Sequence, residues 1–452
     1  MPTALRLPMF ALLAAFAFVR SAAAERPNIL VLYLDDMGWA QPGCYGGKLA
    51  PTPNIDALAR NGVRFTDGYV SACVCSPSRV GLMTGRYQSR TGHDANTTRR
   101  EGSELDLRET TFAQRLKPLG YATGVVGKWH LGESPQHLPG ARGFDFAIGS
   151  LSNLGEGKFY RGAELMEELS GAPVTSPVYA REACRFLDQQ RDRPWFLAVT
   201  FNAVHAPHVA SPAWLDRFKH LERRAQAYAA NIAEADEAIG VIMARVRELG
   251  LEEKTLVFCI SDNGGAAEAA EMGGLRGRKW LVWEGGIRVS WLAQWKGRIP
   301  AGQVSAVPVI QLDLLPTALA AAGAAVDPAW KLDGVNLLPV LEGRATTLPR
   351  EALFWRFGVQ YAVRAGDWKL VKASNTMAPM LVNLASDRGE QRDLAAQHPD
   401  KVRELQALWD RWNTGNLAPR WEDRRWNGEE ARAASKIDKK ERRAGGKKKA
   451  DK

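Results

Sequence analysis

Four short apolar runs constrain this 452-residue chain most. They are Asn28–Leu34, 122–126, Trp195–Thr200 and 255–260, and each runs into a polar or glycine-rich turn. Runs of this length without polar alternation suit strands covered on both faces. Helical patterns lie between them at 52–61, 79–84, 111–119, 178–190 and 226–249. Strand and helix in alternation predict an α/β fold, a mostly parallel sheet sandwiched by helices. After residue 345 the pattern changes. Segments Leu353–Phe357, 360–364, Trp368–Lys372 and 380–384 read as short antiparallel strands, and 399–412 as a closing helix. They predict a main domain over 25–345 and a small α+β module over 346–430.

The ends of the chain carry its charge. Of the net +10, residues 1–24 hold +2 and the Lys/Arg-rich stretch 431–452 holds +7, which leaves +1 for the rest. A nearly neutral body gives no reason to expect a nucleic-acid partner. Residues 1–24 combine Arg6, an apolar stretch over 7–19 and Ala22-Ala23-Ala24, the layout of a cleaved secretory leader. The expected location is secreted or periplasmic, or a lysosomal-type compartment in a eukaryotic host, with no membrane span after cleavage. The apolar stretch 306–326 is broken by Gln311, Asp313 and Pro316 and is expected to form a buried helix. The tail from 431 is expected to be disordered; its charge would suit acidic polysaccharide, but a merely solvated tail is the simpler reading. Five cysteines are too few for a disulfide scaffold.

Ligands of open parallel sheets bind beyond the carboxyl ends of the strands. The first run ends in Asp35-Asp36 and the last in Ser261-Asp262-Asn263. The second ends in Gly127-Lys128-Trp129-His130, and the third leads to Asn202 and His205. Any one could be a cap or turn residue; four together at one edge predict a site. Asp35, Asp36, Asp262 and Asn263 offer only oxygen, which suits a hard divalent cation, Ca²⁺ with Mg²⁺ as the alternative. Carboxylates neutralised by lysines are the structural alternative. Cys75-Ser76-Pro77-Ser78-Arg79, running on to Thr84-Gly85-Arg86, places a cysteine at a helix start and an arginine one turn in. A helix N-terminus with an arginine can hold an oxyanion.

These motifs resemble the formylglycine-dependent sulfatases of the alkaline phosphatase superfamily, and the pattern is similar to N-acetylgalactosamine-6-sulfatases and arylsulfatases. The Cys-x-Pro-Ser-Arg signature is complete at Cys75–Arg79, and Gly-Tyr-x-Thr-x-x-x-Gly-Lys-Trp-His-Leu-Gly is complete over 120–132. The opening 26–38 and the segment 275–289 around Lys279 also match, in the family's order. The resemblance implies an alkaline-phosphatase-like sheet and a hydrolase acting on sulfate monoesters, of carbohydrates or aryl alcohols. It implies that a separate maturation enzyme converts Cys75 to formylglycine, whose hydrate attacks sulfur, and that position 75 joins the metal set. A serine lacks the second hydroxyl needed to expel sulfate. By similarity Arg79, Lys128 and Lys279 balance negative charge, His130 takes the proton in the elimination step, and His205 assists leaving-oxygen protonation with Lys279.

Other residues are expected to be structural. His93, His137, His220 and His398 read as surface or turn histidines, and His208 as a neighbour of the site. Cys259 lies inside a strand and should be a buried apolar residue. Cys44 and Cys73 are a candidate disulfide pair, which spacing does not establish. Trp280 and Trp283 could stack on a sugar, although packing is the better reading. Asn96-Thr97-Thr98 is a glycosylation sequon. The segment 143–177 is expected to form part of the pocket rim. Two readings compete with a sulfatase: a phosphate or phosphonate monoester hydrolase of the same superfamily, and a non-catalytic glycan-binding relative, which would have lost part of this constellation.

Overall fold

A computed structural model describes residues 26–98, 102–154, 159–162, 164–166 and 174–427. The expected leader, the basic tail and parts of the expected rim segment fall outside the described residues. Ten strands make one sheet, in the order Gln303–Ser305, Val63–Phe65, Trp291–Gln294, Thr255–Ser261, Asn28–Leu34, Trp195–Thr200, Ala122–Gly127, Phe146–Ser150, Phe159–Arg161, Glu164–Met166. The five from Thr255–Ser261 to Phe146–Ser150 run parallel. Antiparallel pairings flank them at both sides, and Gln303–Ser305 pairs in parallel with Val63–Phe65 at one edge. The four expected strands are thus adjacent at its centre.

Burial on both faces explains their unbroken apolarity. Side chains alternate across a strand, so Ile29, Val31 and Tyr33 enter one core and Leu30, Leu32 and Leu34 the other. The helices Thr175–Gln190 and Arg223–Glu248 cover the second face through Ala183, Phe186, Ile232 and Ile239. The helices Phe112–Leu116 and Leu314–Ala321 cover the first. Each fully buried Leu, Ile or Phe contributes about 1.5–3 kcal/mol relative to exposure.

Two expectations change in detail. The apolar stretch 306–326 is only partly helical: Val309–Ile310 pairs with Gly68–Tyr69, Gln311–Asp313 makes a 3₁₀ turn, and the helix is Leu314–Ala321. Asp313 sets that break, because its carboxylate accepts from the Ile310 and Val335 amides at 2.9 Å each. The helix expected over 79–84 begins earlier, at Cys75, with Pro77 in its first turn, where no amide hydrogen is needed.

The C-terminal strands Leu353–Phe357, Gln360–Ala365, Trp368–Lys372 and Met380–Asn383 form an antiparallel sheet in chain order. The helix Pro399–Thr414 lays Leu405 and Leu408 on Val363, Leu370 and Leu381.

Candidate active site

The carboxyl ends of the four central strands meet at one sheet edge, and the helix Cys75–Thr84 starts beside them. Cys75 Sγ lies 3.3 Å from Asp35 Oδ1 and 3.8 Å from Asp36 Oδ1. Both oxygen atoms of Asp36 meet Lys279 Nζ, at 2.7 and 2.8 Å. Asp35 Oδ2 accepts from Lys128 Nζ at 2.5 Å and lies 3.5 Å from Arg79 Nη2. Arg79 donates to Asp262 Oδ2 from Nε and Nη2, at 3.2 and 3.0 Å, and from Nη1 to the Lys128 carbonyl at 2.8 Å. Three carboxylates thus face three cations, all buried.

Local backbone form explains how adjacent residues aim apart. Asp36 and His130 adopt left-handed φ of 62° and 58°, a conformation costly to non-glycine residues and concentrated at functional sites. The turn at Gly127 (φ 122°) lets the Lys128 amide reach the Thr200 carbonyl at 2.6 Å. A Cβ at Gly127 would stand 2.0 Å from that same oxygen, so only glycine fits.

Charge sets the protonation of the group. Burial raises Asp35, but Lys128, His205, Arg79 and Lys279 outweigh it and hold the carboxyl well below the usual range. Burial and Asp35 push Asp262 up, against Arg79. Burial lowers Lys279, yet Asp36 more than reverses this, so its ammonium stays charged. Burial, then Lys128 and Arg79, push His130 well below its ordinary value, and its Nδ1 is buried without a hydrogen-bond partner. Burial also lowers His205; its Nδ1 is 2.5 Å from the Ala206 carbonyl, so Nδ1 carries the proton and Nε2 faces Asp36 at 3.6 Å. The Cys75 thiol is pushed well above its ordinary value by burial, Asp262 and Asp35.

Metal-ligating atoms of Asp35, Asp36, Cys75 and His205 lie within 4.8 Å of one another. Asn263 Nδ2 donates to Asp36 Oδ1 at 2.7 Å and to the Gly264 carbonyl, while its buried Oδ1 has no partner. An orphaned carboxamide oxygen beside two carboxylates fits a hard cation. Asp262 stands differently: its Oδ1 accepts from the Asp36 amide at 3.1 Å and its Oδ2 from Arg79.

Several secondary expectations are corrected. His93 and His137 are buried, not surface groups, and His137 keeps the expected turn, the 3₁₀ turn Pro135–His137. His93 Nε2 hydrogen-bonds Ser76 Oγ at 2.8 Å, and His137 Nδ1 meets Ser134 Oγ at 2.7 Å. Cys44 and Cys73 are free thiols, so the candidate disulfide is absent. Trp283, by contrast, has the packing role expected of it, buried under the Arg276 guanidinium. The sequon's Asn96 is engaged, with Oδ1 accepting from the Ser76 amide at 2.9 Å. Sequence reasoning missed Asn153, whose Oδ1 accepts from Lys128 Nζ at 2.7 Å. It stands just beyond the strand Phe146–Ser150, which was not among the expected strands, inside the segment 143–177 expected only as rim. His93 likewise gave no signal, since its partner Ser76 occupies the variable position of the cysteine motif.

The sequence model of the family named Sulfatase matches residues 27–324. The chain is 35% identical over 383 residues to N-acetylgalactosamine-6-sulfatase of Canis lupus familiaris, covering 77% of this chain and 72% of that protein. It is 32% identical over 453 residues to human arylsulfatase A, covering 86% and 88%. The crystal structure of Ps i-CgsB in complex with k-i-k-neocarrahexaose superposes with a TM-score of 0.82 at 29% identity, covering 88% of this chain and 95% of that one. The phosphonate monoester hydrolase of Agrobacterium radiobacter shares the fold at 22% identity, with a TM-score of 0.61.

Proposed function

The chain belongs to the sulfatase family and is a sulfuric ester hydrolase, and on that premise we propose that it releases sulfate from a sulfated carbohydrate outside the cytoplasm. The observation that carries the chemistry is the setting of residue 75. Its side chain starts a buried helix against two carboxylates, with Arg79 one turn behind. A thiol pushed up by burial, Asp262 and Asp35 is a poor thiolate, whereas formylglycine, made there by a maturation enzyme, supplies hydroxyls as nucleophile. Asp35, Asp36, Asp262, Asn263 and position 75 would hold a divalent cation, Ca²⁺ by its oxygen ligands, which polarises a sulfate oxygen and favours the ionised nucleophile.

The chain's own groups do the rest. Arg79, Lys128 and Lys279 supply three fixed positive charges where negative charge develops, with no reorganisation needed. His130, neutral and with a free buried Nδ1, accepts a proton from the residue 75 hydroxyl. Lys279 stays charged and donates toward the leaving oxygen, with His205 beside it. Leader 1–24 supports secretion, and among the described residues no helix is long and apolar enough to cross a membrane. Carbohydrate as the substrate class draws on the relatives named N-acetylgalactosamine-6-sulfatase and on the k-i-k-neocarrahexaose bound in the superposed structure.

The test is competition between 4-nitrophenyl sulfate and 4-nitrophenyl phosphate on protein produced with a maturation enzyme. Sulfate should be released much faster, and chelator should abolish the release until Ca²⁺ is restored. Faster phosphate release would instead favour a phosphate or phosphonate monoester hydrolase.

A further inference from the structure

Lys279 sits on a loop whose shape is set from outside the main sheet. Trp280, the next residue, has φ 72°, an unfavourable left-handed form for a bulky side chain. Something must over-determine it. Its amide donates to the Cys73 carbonyl at 2.9 Å, two residues before Cys75. Its carbonyl accepts from Gln360 Nε2 at 2.9 Å, on the C-terminal sheet.

Gln360 does more than meet one atom. Its Oε1 accepts from the Val282 amide at 3.3 Å, so one carboxamide reads two backbone groups of the loop. Next along, Lys369 Nζ donates to the Val282 carbonyl at 3.0 Å and to Glu284 Oε1 at 2.8 Å. Glu390 Oε2 accepts from the Glu284 amide at 2.7 Å, and its carbonyl accepts from Arg276 at 2.9 Å. Gln360, Lys369 and Glu390 are each 0% exposed. Three fully buried polar side chains are spent on residues 280–284. A sheet packed for stability alone would place apolar groups there.

We propose that the C-terminal sheet is the positioning element for Lys279, and that Gln360 fixes the strained Trp280 backbone so that the ammonium stays on Asp36 and reaches the leaving oxygen. The inference rests on the reading of Lys279 as the proton donor to that oxygen. It makes the C-terminal sheet part of the catalytic machinery although none of its residues lies among the strand-end groups. Gln360, Lys369 and Glu390 are positioning residues, acting through the loop.

Gln360→Met keeps the volume and removes both hydrogen bonds. The decisive readout is leaving-group dependence, because a proton donor matters most for a poorly acidic alcohol. On matured, Ca²⁺-loaded protein, kcat/KM for 4-nitrophenyl sulfate should fall less than about 3-fold and that for 4-methylphenyl sulfate more than about 30-fold, part of the 10²–10⁴ available to general acid catalysis. In a Lys279→Ala background the same substitution should add nothing, the signature of two residues acting through one route. A crystal structure of Gln360→Met should show Lys279 Nζ withdrawn from Asp36. Equal losses on both esters, no loss on either, or an undiminished effect in the Lys279→Ala background would overturn the inference. If Lys279→Ala itself leaves the leaving-group dependence unchanged, the donor assignment fails first and the inference with it.

Discussion

Lys369→Met tests the energetics of the joint between the two sheets. Lys369 Nζ lies 2.8 Å from both Glu284 and Glu390, and all three side chains are fully buried. Around them Arg288 pairs with Glu284 at 2.6 Å and with Asp67 at 3.2 Å, and Arg364 pairs with Asp67 at 2.6 Å. Three carboxylates balance three cations. Removing Lys369 leaves Glu284 with Arg288 but Glu390 with no cation. Loss of one partner from a buried pair costs about 3–5 kcal/mol.

The cost should depend on pH, with a sign that follows from Glu390. Burial, with Glu284 adding to it, already pushes this carboxyl up, and Lys369 is the counterweight. Without Lys369 it rises further. Between the unfolded carboxylate value of about 4.3 and the raised folded value, the folded state holds one more proton than the unfolded state. Stability therefore falls as pH rises through that window, by up to about 1.4 kcal/mol per unit. The variant's deficit against the parent should be smaller at pH 6 than at pH 8.5, because the parent's window closes at lower pH. Urea denaturation followed by tryptophan fluorescence at the two pH values reads it. Adding Glu390→Gln should recover at least half of the deficit at pH 8.5 and flatten its pH dependence. A deficit equal at both pH values, or untouched by Glu390→Gln, would refute the reasoning.

Two further outcomes follow from the site. His130→Ala should lower kcat by about 10²–10⁴ and KM with it, leaving kcat/KM little changed, measured by steady-state sulfate release, since it slows the elimination step and not the attack on the ester. Asn263→Ala deletes an orphaned buried oxygen on a side chain hydrogen-bonded to Asp36. It should weaken Ca²⁺ binding at least tenfold by calorimetry, and unchanged affinity would remove Asn263 from the ligand set.

Much of the site was legible because strand ends concentrate function. Asp35, Lys128, His205 and Asp262 each follow a run long enough to read as a strand, and the sheet order Thr255–Ser261, Asn28–Leu34, Trp195–Thr200, Ala122–Gly127 makes those ends neighbours. What escaped detection is built from short or distant pieces. Strands such as Val63–Phe65 and Gln303–Ser305 have three residues each, too few to show a period. His93 reads as a turn residue until the fold buries it against Ser76. Gln360, Lys369 and Glu390 lie 78 or more residues beyond the loop residues they hold, and nothing local marks a buried lysine on a short strand. The antiparallel sheet was readable from its short, closely spaced runs; its grip on Lys279 was not.

The central claim concerns residue 75, and the mass of the tryptic peptide Phe65–Arg79 tests it most directly. The protein should be made in a host with a maturation enzyme and checked for sulfate release before digestion. Active protein should carry formylglycine or its hydrate at position 75. A plain cysteine thiol in fully active protein would contradict it.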